Sequence, residues 1–221
     1  MKGVLYIVAT PIGNLSDITL RALEILKSMD LIACEDTRHT GILLKHYEIK
    51  KPTLSFHSHS GQAKVEKIMS HLNKGDDVAL VSDAGTPGIS DPGFVLIKAA
   101  LDAGVKVVPI PGASAVITAL CASGLPTDKF LYLGFLPVKK GRQAVFKRVA
   151  ASENTVVFYE SPHRLIKTLG QLRDYLDDDA QVVIAKELTK IHETYFRGSI
   201  DEVLEMFADK KPKGEYVVMV N

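Results

Sequence analysis

Cysteines and long apolar runs are scarce in this sequence, and each absence excludes a class of protein. The 221 residues include two cysteines, Cys34 and Cys121, which match no zinc or redox spacing. Both are expected to be buried small apolar residues, and without a disulfide framework a cytoplasmic location is predicted. No apolar stretch approaches the roughly 20 residues of a membrane span, and no secretory leader is recognisable before the first strand-like run. A membrane partner is therefore not expected.

A strong charge of either sign is also absent. The 27 basic and 26 acidic residues leave a formal net charge of +1, so any contact with RNA must come from a local basic patch. Apolar residues make up 46% and charged residues 24% of the chain, as in ordinary soluble globular proteins. A chain of this length is enough for one large domain or two smaller ones.

Two common phosphate-binding motifs are missing as well. The turn after the first strand, Ala-Thr-Pro-Ile-Gly-Asn at 9–14, is not a G-x-G-x-x-G fingerprint, and no G-x-x-x-x-G-K-[ST] loop occurs. The proline in that turn also removes an amide donor. We therefore expect a ligand to be held by backbone carbonyls and amides rather than by a helix N-terminus around pyrophosphate.

Strand and helix patterns alternate through the first half of the chain, which predicts a parallel sheet with right-handed crossovers. Beyond residue 112 the pattern changes, and strands that follow each other without a helix near 186–197 indicate antiparallel pairing. We predict an α/β fold of two α/β domains. The N-terminal domain, 1–112, should carry a mostly parallel sheet, and the C-terminal domain, 113–221, a mixed sheet.

The most informative motif is the loop Val-Ser-Asp-Ala-Gly-Thr-Pro-Gly-Ile-Ser-Asp-Pro-Gly at 81–93, directly after an apolar strand. Glycine allows close approach of backbone to a ligand, and proline fixes φ, so the loop should hold a rigid shape. Ligands of open α/β sheets bind at the carboxyl ends of strands. We interpret the segment as a ligand-binding loop, with a tight strand-to-helix turn as the alternative.

Polar clusters at 35–38, 158–164 and 186–190 also follow strands, where catalytic groups collect. A structural salt-bridge network explains any one of them about as well. Ser114 begins a helix, where its hydroxyl could cap the helix or touch a ligand. His57 and His59 could share a strand face, but no third ligand is near in sequence, and no metal is predicted.

Several segments together resemble one family. They are 8–15, Val-Ala-Thr-Pro-Ile-Gly-Asn-Leu; 35–38, Glu-Asp-Thr-Arg; the loop 82–93; 134–137, Gly-Phe-Leu-Pro; 158–164, Phe-Tyr-Glu-Ser-Pro-His-Arg; 186–190, Lys-Glu-Leu-Thr-Lys; and 197–198, Arg-Gly. Together they resemble the RsmI family of bacterial small-subunit ribosomal RNA cytidine 2′-O-methyltransferases, over residues 3 to 220. That family belongs to the tetrapyrrole methylase superfamily, whose two α/β domains hold S-adenosylmethionine in the cleft between them. The resemblance implies 16S ribosomal RNA of the small subunit as partner and a homodimer as the assembly.

The resemblance also implies residues that bind S-adenosyl-L-methionine. The loop 83–90 should wrap the methionine and ribose parts of the cofactor, and backbone near residues 188 and 214 should approach its adenine. The implied cofactor-binding residues are Pro11, Gly13, Asp83, Ala84, Gly85, Pro87, Ile89, Ser90, Ser114, Ala115, Leu188 and Gly214.

Methyl transfer to a hydroxyl mainly requires that the oxygen, the methyl group and the sulfur lie in line. A general base would increase the rate further. The candidate catalytic residues are Glu35, Arg38, Glu160, Lys186 and Glu187, beside Asp36 and His163. Glu160 and Glu187 are favoured as the base because both end strands of the second half. On this hypothesis, Glu187→Gln loses far more turnover than cofactor affinity.

A local basic patch is needed to hold RNA. The residues expected to form it are Lys139, Lys140, Arg142, His163 and Arg164. A solvated helix face is the alternative for Lys147 and Arg148.

The sequence departs from the family pattern in two places. The pattern usually continues past Val218 into a C-terminal helical segment expected to help hold RNA, whereas this chain stops at Asn221. Ser58 and Ser60 stand where the family tends to carry Glu and Asn.

Two other functions remain open at this point. The first is another superfamily methylase, acting on a corrinoid ring or a modified histidine, because a fold does not determine a substrate. The second is an RNA-binding module without catalysis. A measurement of methyl transfer distinguishes these alternatives, because either methyltransferase would show turnover and an RNA-binding module would show none.

Overall fold

The computed structural model describes residues 1–57, 61–208 and 211–221. Within it the chain forms two compact units, Met1–Ser114 and Ala115–Asn221, and each has its own sheet and apolar core. Both units are α/β, as the alternation of strand and helix patterns predicted. The sequence had placed the division after residue 112.

The first unit consists of β1 Val4–Val8, α1 Leu20–Ser28, β2 Leu31–Cys34, α2 Thr37–His46, β3 Thr53–Ser55, α3 Gln62–Lys74, β4 Val78–Val81, α4 Phe94–Asp102 and β5 Lys106–Ile110. The strands lie in the order β3-β2-β4-β1-β5, and every pairing between them is parallel. The predicted parallel sheet is confirmed.

Apolar clusters cover both faces of this sheet. Along β4, Val78 and Leu80 point into a cluster with α3 and α4, while Ala79 and Val81 point into a cluster with α1 and α2. Because both faces are buried, the strand is apolar at every position rather than at alternate ones. The helices after β1 and β2 thus pack on one face, and those after β3 and β4 pack on the other.

The second unit consists of α5 Ala115–Cys121, β6 Phe130–Phe135, α6 Arg142–Ala150, β7 Thr155–Glu160, α7 Leu165–Arg173, β8 Val182–Lys186, β9 Thr194–Gly198, α8 Ile200–Glu205 and β10 Tyr216–Val220. The strand order is β6-β7-β10-β8-β9. β6 and β7 are parallel, and the other three pairs are antiparallel. This is the predicted mixed sheet, and β8 with β9 is the antiparallel pair predicted near 186–197.

One face of the second sheet carries an apolar core cluster. Val156 and Phe158 of β7 and Val218 of β10 pack there with α6, α7 and α8. On α7, Leu165, Leu169 and Leu172 recur at helical spacing and are fully buried. Burial of these side chains keeps the carboxyl ends of β6 and β7 at a fixed position relative to α7.

One local expectation needs correction. Cys34 is buried as expected, but Cys121 is exposed at the end of α5. Helix α2 begins at Thr37, because the Asp36 carboxylate accepts the N–H of Arg38 and caps the helix. His59 of the histidine pair lies outside the described residues. In the part of the chain described, no helix combines the length and apolar character needed to cross a membrane.

Candidate functional site

The carboxyl ends of β1, β4 and β5 carry three loops, at 9–14, 82–93 and 111–114. β1 lies between β4 and β5, so these loops leave one edge of the sheet side by side. The helices that follow β1 and β4 pack on opposite faces. Neighbouring strands whose chains leave toward opposite faces open a crevice at that edge, which is where α/β sheets bind ligands.

Hydrogen bonds join the three loops. The N–H of Thr10 donates to the carbonyl of Gly85 over 2.9 Å, and the N–H of Gly85 donates to the carbonyl of Thr10 over 3.0 Å. The buried hydroxyl of Thr10 also donates to the carbonyl of Ser82 over 3.1 Å. The hydroxyl of Thr86 reaches the carbonyl of Ala113 over 3.5 Å. The loops therefore form one hydrogen-bonded framework.

Gly85 makes the exchange with Thr10 possible. Its φ is +79°, a left-handed conformation that costs other residues roughly 1–2 kcal/mol. Ser90, in the same loop, adopts φ +61° without being glycine. Such backbone persists only where its surroundings hold it, and it collects at ligand-binding loops. The interpretation of 81–93 as a rigid loop agrees with this geometry.

Carboxylates gather beside this framework. The N–H of Asp36, just after β2, donates to Oδ1 of Asp83 over 3.0 Å. Burial raises the pKa of Glu35, and the charges of Asp83 and Asp91 raise it further. Burial and Asp83 also raise the pKa of Asp91, against a hydrogen bond with Ser82 that lowers it. The crevice thus has surplus negative charge that a cationic ligand would relieve.

Asp91→Asn should change how stability depends on pH. Folded wild-type protein holds the Asp91 proton more tightly than the unfolded chain does, so its stability falls as pH rises from below about 4 through the raised pKa. The variant lacks this loss and should be more stable than wild type near pH 7, with no gain near pH 3. Urea denaturation at both pH values measures this. Asp128→Asn, at an exposed position, is the control. An equal gain at both pH values would contradict the account.

Glu160, a favoured base in the sequence analysis, lies in a buried hydrogen-bond network of the second unit. Its side chain is 0% exposed, and Oε1 pairs with Nη2 of Arg164 at 2.6 Å. Oε1 also accepts the N–H of Ser161 over 2.7 Å, and Oε2 accepts the hydroxyl of Thr168 over 2.6 Å. Each carboxylate oxygen is already engaged, which is the setting of a structural anion rather than a proton acceptor.

Arg142, expected in the RNA patch, belongs to the same network. Its guanidinium donates to Thr168, to Oε1 of Gln171 and to the carbonyl of Pro137. Burial lowers its pKa, and Arg164 lowers it too, while Glu160 opposes both. Because its donors are used inside the fold, Arg142 does not contribute a free cation to the surface.

Glu187 has a different structural role. Its Oε1 accepts the N–H of Glu215 over 2.9 Å and lies 3.1 Å from Nζ of Lys190. Burial tends to raise the pKa of Glu187, but the hydrogen bonds from Lys190 and Glu215 and the charge of Lys186 outweigh it, and the pKa is lowered. A carboxylate stabilised in this way is a weak proton acceptor at neutral pH.

Other predicted residues divide between the two units. In the first, Pro11, Gly85 and Pro87 are buried, Asp83 and Ser114 are half-buried, and Gly13, Ala84, Ile89, Ser90 and Arg38 are exposed. In the second, Leu188 is buried, Ala115, Gly214, Lys186 and Arg164 are half-buried, and Lys139, Lys140 and His163 are exposed. The structure brings the first unit's residues to the carboxyl-end edge of its sheet, where Arg38 pairs with Asp36 in the first turn of α2. It brings Glu187 and Gly214 into contact in the second.

Sequence reasoning missed two small polar residues of the crevice. Thr10 and Ser82 are 3% and 2% exposed and supply hydroxyls to the loop framework. Both directly follow predicted strands, and a polar residue at that position was the available signal. In the part of the chain that the structure describes, no cluster of three or more metal-ligating side chains is found.

Comparison with known proteins adds three findings. The sequence pattern of Tetrapyrrole (Corrin/Porphyrin) Methylases matches residues 4–204. "Ribosomal RNA small subunit methyltransferase I" of Escherichia coli O157:H7 is 50% identical over 99% of this chain and 78% of its own length. The protein of that name from Thermotoga maritima is 45% identical over 99% of this chain and 98% of its own.

Solved structures show the same fold at low identity. A cobalt precorrin-4 methyltransferase superposes with a TM-score of 0.71 at 17% identity, over 97% of this chain and 93% of its own. Uroporphyrin-III-C-methyltransferase from Thermus thermophilus superposes with a TM-score of 0.68 at 19% identity, over 99% and 94%. At such identities the likeness extends to the fold alone.

Proposed function

The chain belongs to the tetrapyrrole (corrin/porphyrin) methylase family, and from this premise we propose that it methylates small-subunit ribosomal RNA. S-adenosyl-L-methionine is the methyl donor, and the 2′-hydroxyl of a cytidine is the acceptor. One observation carries the choice of substrate. Relatives named for small-subunit ribosomal RNA are 45–51% identical over nearly the whole chain, whereas the tetrapyrrole enzymes share 17–19%.

The crevice of the first unit fits this donor by its charge. S-adenosylmethionine carries a positive sulfonium and ammonium, and when bound it supplies a methyl group already activated for transfer. Asp83, Glu35 and Asp91 provide carboxylates whose mutual repulsion a cation relieves. The backbone of 83–90 would hold its polar groups without a phosphate-binding motif. Leu188 and Gly214 remain proposed contacts from the second unit.

The chain's main chemical task is alignment. Holding a hydroxyl in line with a methyl group can supply about 7–11 kcal/mol of the barrier, provided that both partners are fixed in advance. The hydrogen-bonded loops of the crevice support this requirement on the donor side. Deprotonation of the hydroxyl would add about 10²–10⁴-fold.

Among the candidate bases, Glu35 has the most suitable setting. It follows β2, is half-buried, and has a pKa raised by burial and by two neighbouring carboxylates. Glu160 is fully engaged inside the second unit, and the pKa of Glu187 is lowered. A base whose pKa moves toward neutrality transfers protons more effectively at neutral pH. We therefore assign the base to Glu35.

Lys139 and Lys140 remain the proposed phosphate contacts, because both are exposed. Replacing both with alanine should weaken RNA binding and lower the salt slope of binding by about 1.5, at roughly 0.7–0.9 per phosphate contact. Fluorescence anisotropy with labelled RNA over a series of salt concentrations measures the slope. Lys50→Ala/Lys51→Ala, a second adjacent lysine pair, is the matched control. An unchanged slope for the Lys139/Lys140 variant would refute these contacts.

Acceptor choice tests the proposed function. Purified protein would be given labelled S-adenosylmethionine with either unmodified small ribosomal subunits or uroporphyrinogen III. The proposal expects label in RNA and none in the tetrapyrrole. Label in the tetrapyrrole alone would favour the corrinoid-type enzyme, and RNA binding without transfer would favour a binding module. A cytoplasmic location, supported by the scarcity of cysteine, and a homodimer, supported by the resemblance, are also part of the proposal.

A further inference from the structure

We infer that Phe135, backed by Tyr159, is a stacking surface for an unpaired base of the RNA substrate. The inference rests on the proposed function and extends it, because it names a side chain that would recognise the acceptor strand rather than the methyl donor. Phe135 belongs to the Gly-Phe-Leu-Pro segment at 134–137, to which the sequence analysis gave no role.

A bulge in β6 turns Phe135 away from the core. Tyr132 pairs with Val157, but the next pair along the strands is Phe135 with Tyr159, so β6 has one residue more than β7. Gly134, within the bulge, has φ +62°. Leu131 and Leu133 pack against the core, and simple alternation would send residue 135 the same way. The extra residue instead puts Phe135 on the face of Tyr132 and Tyr159. Bulges re-aim side chains in this manner beside active sites.

The ring of Phe135 is supported on one side and open on the other. Its centroid lies 5.4 Å from that of Tyr159 at an interplanar angle of 59°, and Tyr159 in turn contacts Tyr132 at 5.4 Å. Phe135 nevertheless remains 59% exposed. An aromatic ring held by other rings and presented to solvent can stack on a planar ligand with little loss of side-chain entropy.

The buried arginine network holds the segment that follows Phe135. Nη1 of Arg164 donates to the carbonyl of Leu136 over 3.2 Å, and Nη1 of Arg142 donates to the carbonyl of Pro137 over 2.9 Å. The side chain of Leu136 is buried in the core. Two guanidinium groups and one apolar anchor therefore fix the backbone directly after the exposed ring.

The positive charge near Phe135 favours nucleic acid as the ligand that stacks on its ring. Lys139 and Lys140 are exposed four and five positions after Phe135, and His163 is exposed beside Arg164 in sequence. No acidic side chain lies between residues 129 and 152 in the sequence. An exposed aromatic ring followed by cations is the combination with which proteins bind single-stranded RNA, where bases stack and lysines contact phosphates. The β6 and β7 carboxyl ends are thus suited to one splayed nucleotide.

The test compares four proteins for RNA affinity and for cofactor affinity. They are the wild type, Phe135→Ala, Phe135→Trp and, as the matched control, Phe130→Ala at the other end of β6, where the ring is 40% exposed. Phe135→Ala should weaken binding of unpaired small-subunit RNA about 5- to 100-fold, as expected for loss of one base–aromatic stack. The salt slope should not change, because no cation is removed. Phe135→Trp should restore affinity, and Phe130→Ala should bind like wild type.

Two results would overturn the inference. Equal RNA affinity of Phe135→Ala and wild type would show that no base stacks on the ring. An equal loss of S-adenosylmethionine affinity, measured by calorimetry, would show that the ring serves the adenine of the cofactor instead. The proposed function fails separately, through absence of methyl transfer by the wild type. Methyl transfer by the wild type together with unchanged RNA binding by Phe135→Ala would refute the inference alone.

Discussion

Replacing Glu160 with alanine is expected to lower the free energy of unfolding by about 3–5 kcal/mol, the usual effect of removing one partner from a buried ion pair. The variant leaves Arg164 without its anion and removes the acceptor of the Thr168 hydroxyl. Arg142, which donates to the same hydroxyl, then also loses part of its compensation. Urea denaturation followed by circular dichroism measures the loss.

Two variants make this prediction specific. Glu153→Ala removes an exposed carboxylate and should change stability by less than about 0.5 kcal/mol. Glu160→Gln keeps the shape and part of the hydrogen bonding, so it should fall between alanine and wild type. If Glu160→Ala kept wild-type stability but lost turnover, Glu160 would be a base, as the sequence suggested, and the structural role assigned to it would be wrong.

Replacing Glu35 with glutamine is expected to lower kcat about 10²- to 10⁴-fold, the contribution of a general base. Affinity for S-adenosylmethionine should change much less, because Asp83 and Asp91 still supply carboxylates to the crevice. In wild type, activity should rise with pH through the raised pKa of Glu35 and then level off, since only the ionised carboxylate accepts a proton. The variant should lack this rise.

Glu187→Gln separates the two assignments of the base. The structure gives Glu187 hydrogen bonds to Glu215 and Lys190, so this variant should lose stability and retain most of its turnover per folded molecule. Single-turnover methyl transfer at saturating cofactor measures the chemical step for both variants. A larger loss in Glu187→Gln than in Glu35→Gln would return the base to Glu187.

Much of the fold could be predicted because its determinants are local in the sequence. The inner strands β1, β2 and β4 of the first sheet are apolar throughout, and glycines or prolines follow the ends of β1, β4 and β5. These patterns predicted the parallel pairing and the edge at which we propose that the ligand binds. The antiparallel pairing of β8 and β9 was predicted because their strand patterns follow each other without a helix between them, and the structure confirms it. Family resemblance supplied the cofactor and the substrate, which no pattern of spacing could provide.

The burial of polar groups could not be predicted in the same way. Arg142 follows two exposed lysines and begins a helix rich in basic residues, so its sequence context is that of a surface cation. Its partners Thr168 and Gln171 lie on α7, 26 and 29 positions away. Glu160 ends a strand, as a catalytic group would, and only the packing of α7 shows that it is enclosed. Such contacts depend on tertiary structure and produce no periodic pattern in the sequence.

Phe135 illustrates a second limit of prediction from the sequence. Alternation along β6 assigns it to the core with Leu131 and Leu133, and a single extra residue reverses that assignment. Gly134 is the only local sign of the irregularity, and glycine has many other uses in strands. A one-residue bulge therefore changes which side chain is presented to a substrate without changing the predicted secondary structure.

The most direct test of the central claim is the position of the transferred methyl group. Small ribosomal subunits lacking the modification would be incubated with the protein and labelled S-adenosylmethionine, and the RNA would be digested to nucleosides. The account predicts label in 2′-O-methylcytidine and in no other nucleoside of the small-subunit RNA. Label on a base, on another nucleoside, or in no RNA despite bound cofactor would contradict it.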